Sequence, residues 1–149
     1  MNAHSMNGSP AKNRFRPAQS SDVLFMLNLV RDGYKKNCSV YGIKFDGPST
    51  LLTIANALTR GLCLVGPSSC AGAIITPFPY NHNAQVATVL FWCFKSSREI
   101  AIFGELLKHC RDAGATHISA SSHFPDNSIG RFYAKNGLHN CEIQSIRPI

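Results

Sequence analysis

The chain has 149 residues, 44% of them hydrophobic and 15% charged, and a formal net charge of +7. That length fits one domain with enough apolar content to close a core, and it excludes a disordered or coiled-coil composition. No run of roughly 18 apolar residues is present and Met1–Pro10 lacks an apolar segment, which argues against a membrane span and a secretory leader and for a cytoplasmic setting.

The six cysteines form no C-x-x-C pair. Cys63, Cys93 and Cys110 sit in apolar patterns where a free thiol acts as a small hydrophobe, so reduced structural thiols and no metal site are expected. Residues 1–13 are polar and read as a flexible arm, followed by one domain over 14–149. Lys12, Arg14 and Arg16 give this end a basic character. Such a balance suits a nucleic acid or a polyanionic small molecule, and charge alone does not choose.

Phe15-Arg16-Pro17-Ala18 reads as a short edge strand. Ser20-Ser21-Asp22 then offers an N-cap to a first helix carried by Val23, Met26, Leu27 and Val30 and closing at Gly33. Residues 34–48 read as irregular, with Tyr34, Tyr41 and Phe45 as anchors and Gly47-Pro48 as a breaker. Ser49 or Thr50 caps a second helix through Leu51, Ile54, Ala55 and Leu58.

Leu62–Val65 and Ala71–Thr76 form a hairpin pattern with a turn of four or five residues, and Pro77–Asn83 reads as a loop. Gln85–Phe94 is apolar on both faces, the mark of a central strand. Ser96-Ser97 caps a third helix whose stripe is Ile100, Phe103, Leu107 and Cys110, ending at Gly114. A strand over Thr116–Ser121, a short helix ending near Gly137 and a last strand over Leu138–Ile149 complete the order β-α-α-β-β-β-α-β-α-β. Adjacent strands mixed with helical crossovers imply an α+β fold with a mixed sheet.

The stretch Asn127-Ser128-Ile129-Gly130-Arg131-Phe132-Tyr133-Ala134-Lys135-Asn136-Gly137-Leu138 resembles the N-x-x-A-x-x-F-Y-x-K-x-G-F signature of the GNAT acetyltransferase superfamily. Phe15-Arg16-Pro17-Ala18 with Ser21-Asp22 looks like that family's first strand and helix start, and the element order is similar throughout. The aromatic-rich segment with Tyr34, Tyr41 and Phe45-Asp46 is also similar to short acyltransferase-like proteins of tailed bacteriophages, whose setting would be the cytoplasm of a bacterial host. The resemblance implies a three-layer α/β/α domain with six or seven strands and about four helices. It further implies acetyl-CoA or another acyl-CoA as cofactor and an amine on a small molecule or protein as acceptor. No membrane is implied, and a homodimer is compatible.

Carried residue by residue, the resemblance makes Tyr133 the general acid that protonates the departing thiolate, the alternative being a half-buried core tyrosine. Asn127 would contact the pantetheine arm or simply cap its helix, and Arg131 would meet phosphates or solvent. The backbone of Val89, Leu90 and Phe91 would bind pantetheine through a local splay of the strand. Where the family places R-x-x-G-x-G or R-x-x-G-x-A, this chain has Phe94-Lys95-Ser96-Ser97-Arg98-Glu99-Ile100, without glycine. Ser96, Ser97, Lys95 and Arg98 can still meet a pyrophosphate, while Glu99 would set a negative charge where it sits; an ordinary capped helix is the other reading.

No acidic residue lies between Asp46 and Glu99, so His82 is the titratable base candidate there, or a solvated loop histidine. Acyl-CoA-dependent N-acyltransfer is the leading expectation. The rivals are a GNAT-shaped interaction or virion-associated protein without catalysis, and a nucleic-acid-associated or nucleic-acid-modifying protein. No recognition motif for nucleic acid supports the last.

Overall fold

A computed structural model describes residues 14–37, 42–121 and 128–139. The elements in chain order are β1 (Arg16–Pro17), α1 (Val23–Asn37), α2 (Gly47–Arg60), β2 (Gly61–Gly66), β3 (Ser69–Phe78), β4 (Asn81–Phe94), α3 (Ile102–Asp112), β5 (His117–Ser119) and α4 (Ser128–Lys135). Among the described residues the five strands form one sheet in sequence order, antiparallel up to β4 and parallel between β4 and β5. This is the expected α+β architecture with a mixed sheet. The predicted arm over 1–13 lies outside the described residues, as does nearly all of the last predicted strand.

Two apolar layers sandwich the sheet. Met26, Leu27 and Leu29 of α1 and Ile54 and Ala57 of α2 pack on Cys63, Val65, Cys70 and Phe91. On the opposite face, Ile102, Leu106 and Cys110 of α3 cover Phe15, Leu64, Ala71, Ala73 and Ala87. Alternate residues of β2 and β3 therefore feed opposite layers, as the strand period requires.

Several boundaries differ from the sequence reading, each for a local reason. The first cap is Gln19, one residue earlier than expected: its N–H donates to Asp22 at 2.8 Å, and a single 3-10 turn over Ser20–Asp22 leads into α1. Arg16 grips the same carboxylate with two bonds of 2.8 and 2.9 Å, tying β1 to the helix start and holding Asp22 below its usual range.

Gly33 does not end α1, which runs on to Asn37. A Cβ at Gly33 would stand 3.2 Å from Cys93 Sγ, so this glycine sets how closely the helix approaches β4. Of the expected anchors, Tyr34 and Phe45 do meet, with ring centroids 5.6 Å apart, while Tyr41 lies outside the described residues.

Gly47-Pro48 begins α2 instead of breaking the chain. Asp46 is the N-cap, accepting from the Ser49 N–H at 2.8 Å, and proline is tolerated in a first turn because its missing N–H would have no helical partner there. The β2–β3 turn contains only Pro67 and Ser68, since Gly66 and Ser69 already pair. The predicted 77–83 loop is mostly strand: β3 reaches Phe78 and β4 starts at Asn81, with Pro77 accommodated next to a ladder irregularity.

Ser96 caps a 3-10 turn over Ser97–Glu99, and α3 proper buries Ile102, Phe103, Leu106 and Cys110. The buried stripe thus uses Leu106 where the sequence periodicity suggests Leu107. Gly114 and Gly137 do stop their helices, with φ of +97° and +79°. No described helix is long and apolar enough to cross a membrane.

Candidate functional site

The centre of the site is a break in β4. Ala73 pairs with Val89, but the neighbouring Gly72 pairs with Phe91, leaving Leu90 as an extra residue in a β-bulge. Gly72 fits this irregularity: a Cβ there would lie 2.4 Å from Phe91 Cζ. On its other edge β4 pairs with β5 only from Val86↔His117 to Thr88↔Ser119. Beyond Thr88 the strand continues to Phe94 with no strand partner on that edge among the described residues. Backbone groups along such an edge need other partners, and the stretch from Val89 to Phe94 includes Val89, Leu90 and Phe91, named from the sequence as a pantetheine-binding segment.

Helix α4 meets this end of β4 through its aromatic pair. Tyr133 lies 6.0 Å from Trp92 of β4 and 5.4 Å from Phe103 of α3, centroid to centroid, while its hydroxyl donates to the Ser121 carbonyl, just past β5, at 2.9 Å. Phe132 stacks on Trp92 at 5.3 Å and meets Phe103 edge-on at 5.6 Å. Tyr133 therefore links β4 to the segment just past β5. Burial pushes its pKa up to about 12, so the phenol keeps its proton throughout the neutral range. Beside it, the Trp92 Nε1 is buried with no hydrogen-bond partner among the described residues, a donor that a bound molecule could satisfy.

At the end of β4, the Lys95 N–H donates to the Ser68 carbonyl at 3.0 Å, and its ammonium lies 3.5 Å from Asp32 in a largely exposed pair. Ser96 Oγ accepts from the Arg98 N–H at 3.3 Å, which commits it to the cap. Ser97 and Arg98 are exposed. Glu99 departs from expectation. Its side chain is 1% exposed and turns inward, Oε1 accepting from the Ser68 N–H at 2.8 Å and Ser69 Oγ at 2.9 Å. It braces the β2–β3 turn and leaves the outer side of the loop to Lys95 and Arg98.

The other candidates are dispersed. His82 is exposed near the β3–β4 hairpin tip, inside β4 and not in a loop. It is ten residues from Trp92, roughly 30 Å of extended strand. Arg131 is exposed on α4, and Asn127 lies outside the described residues. Sequence reasoning missed the indole of Trp92 and the Ser121 carbonyl. The first has a signal, the chain's sole tryptophan within a central strand; a backbone carbonyl leaves none.

Burial also pushes the thiols of Cys63 and Cys110 up, to about 12 and about 11. For groups with raised values, stability is fully present below the unfolded-state pKa and is lost as pH rises through the folded one. With ordinary values of 9.0 for the thiols and 10.0 for tyrosine, the urea midpoint should fall progressively from about pH 9 to about pH 12. Tyr133→Phe should flatten the part above pH 10, which urea melts across this range would check.

No family model matches the sequence, and no curated protein does. Solved structures do. An acetyltransferase from Trypanosoma brucei aligns with a TM-score of 0.64 at 19% identity, covering 91% of this chain and 98% of that one. A predicted acetyltransferase with acetyl-CoA from Clostridium acetobutylicum gives 0.66 at 14%, covering 89% and 94%. The aminoglycoside 6'-N-acetyltransferase of Acinetobacter haemolyticus gives 0.62 at 11%, covering 91% and 97%. At these identities the likeness establishes the fold, which is that of the GNAT acetyltransferases.

Proposed function

We propose that this protein is an acyl-CoA-dependent N-acyltransferase that uses acetyl-CoA and acts on an amine. The observation that carries the reading is that β4 loses its β5 partner after Thr88, next to the Leu90 bulge, with Tyr133 joining Trp92 of β4 to the segment just past β5. The residues present suit such a cofactor. Backbone groups of Val89, Leu90 and Phe91 would hold the pantetheine amides. Lys95 and Arg98, with the exposed side chain of Ser97, would hold the pyrophosphate. When bound, the cofactor supplies an activated acetyl thioester.

Tyr133 carries its proton at neutral pH, and by turning from the Ser121 carbonyl it would present that proton to a leaving sulfur. Glu99 points inward to Ser68 and Ser69, so its carboxylate does not face the outer side of the loop where Lys95 and Arg98 lie. A small-molecule amine is the favoured acceptor class, in keeping with the aminoglycoside acetyltransferase that shares the fold.

The test is thermal melting of the full chain with and without acetyl-CoA. At about 100 times the dissociation constant, the ligand should stabilise by about 2.7 kcal/mol, a rise of several degrees. No shift at millimolar cofactor would overturn the proposal. A shift without transfer to any of a panel of amines would leave the non-catalytic reading in its place.

A further inference from the structure

Cys70 of β3 and Cys93 of β4 are register partners in the antiparallel ladder and belong to the same apolar layer under α1 and α2. Directly opposed residues in such a ladder have Cα atoms about 4.5–5.5 Å apart, within the span of a disulfide. Both are free, and each thiol shifts the ionisation of the other across the ladder. Cys70 is fully buried, whereas Cys93 is partly exposed. Gly33 leaves the Cys93 sulfur room under α1, where a Cβ would stand 3.2 Å away.

We propose that Cys70 and Cys93 form a site of reversible oxidative modification, a dithiol that a small disulfide of the oxidised-glutathione class closes to a disulfide. The roles of the two sulfurs differ. The neighbouring Cys70 holds Cys93 toward thiolate, the attacking form, while Cys93 and burial together keep Cys70 a thiol.

The Cys93 thiolate attacks one sulfur of the oxidant, forming a mixed disulfide and expelling one glutathione thiolate. That thiolate takes the Cys70 proton. The Cys70 sulfur then attacks the Cys93 sulfur, and the second glutathione leaves as a thiolate that is protonated from solvent. Two protein thiols are oxidised to one disulfide, and one oxidant molecule is reduced to two thiols. The bond fastens the end of β4 to β3 two residues before Lys95. Dithiols of this kind in reducing compartments cycle transiently, and the inference does not depend on the acyl-transfer reading.

The other described sulfurs provide internal controls. Cys63 donates to Met26 Sδ at 3.4 Å, and burial holds its thiol up; Cys110 lies in the opposite layer. The experiment equilibrates the full chain in mixtures of oxidised and reduced glutathione, quenches with acid, alkylates and maps the peptides by mass. A Cys70–Cys93 linked peptide is expected, lighter by two hydrogens and reversed by dithiothreitol.

C70S should instead accumulate a glutathione adduct on Cys93 with no crosslink, C93S should leave Cys70 unmodified, and C63S should still form the bond. Melts of the reduced variants check folding; where C70S does not fold, the wild-type map decides alone. Oxidation confined to Cys38, Cys63, Cys110 or Cys141, with Cys93 unmodified, would overturn the proposal. So would a crosslink joining Cys93 to any cysteine other than Cys70.

Discussion

Tyr133→Phe is expected to lower the acetyl-transfer rate by roughly 10²- to 10⁴-fold, the usual contribution of a positioned general acid. The substitution keeps the ring, and with it the contacts to Trp92 and Phe103, and removes only the hydroxyl. It also deletes the bond to the Ser121 carbonyl, which costs about 1 kcal/mol of stability. The two effects separate cleanly. Loss of an acid that acts on the leaving group lowers kcat while the KM for acetyl-CoA stays near its starting value. Loss of the α4 tether alone would raise KM and leave kcat close to wild type. Steady-state kinetics on both parameters, with a melt to confirm folding, would decide, and an unchanged kcat would remove Tyr133 from the chemistry.

Glu99→Ala should destabilise the protein by about 3 kcal/mol, because it strands two donors that share one acceptor atom. Ser69 is fully buried, so its hydroxyl has no water to turn to, and the Ser68 N–H lies in the tight turn beside it. Glu99→Gln keeps an acceptor oxygen in nearly the same place and should cost less than half as much. Chemical denaturation of the two variants gives the comparison. Equal small losses would mean that the turn repacks without Glu99. The result also bears on the loop, since the Lys95 N–H bonds to the Ser68 carbonyl and so depends on the same turn.

The sequence was most readable where one local rule acts alone. The α4 helix and its stop at Gly137 follow from the amphipathic spacing of Ile129, Phe132 and Tyr133 and from a glycine that takes positive φ. It misled where one residue type serves opposite ends. Gly47-Pro48 reads as a breaker, yet proline in a first turn starts a helix as readily as it stops one.

The site was legible only in part. The expectation of an irregularity near Leu90 and the interest of Tyr133 come from the family resemblance, because Gln85–Phe94 is so largely apolar that no change of alternation shows in it. The inward turn of Glu99 was hidden for another reason. Helix-start rules favour an acid in that first turn whichever way its side chain points, so the preference carries no information about direction.

The bulge at Leu90 also acts as a phase reversal. Before it, Ala87 and Val89 face α3; after it, Leu90 and Phe91 successively face α1 and α2, and Trp92 returns to the α3 side. Had the strand kept strict alternation, the indole would lie beneath α1 and Cys93 would lie beneath α3. Taken up as a bulge, the one supernumerary residue thus keeps Trp92 toward Tyr133 and Cys93 toward Cys70 together. Deleting it, with the chain otherwise intact, would join Val89 directly to Phe91, restore a regular ladder and leave Trp92 and Cys93 on their present faces, so that the loss would be confined to the bulge itself.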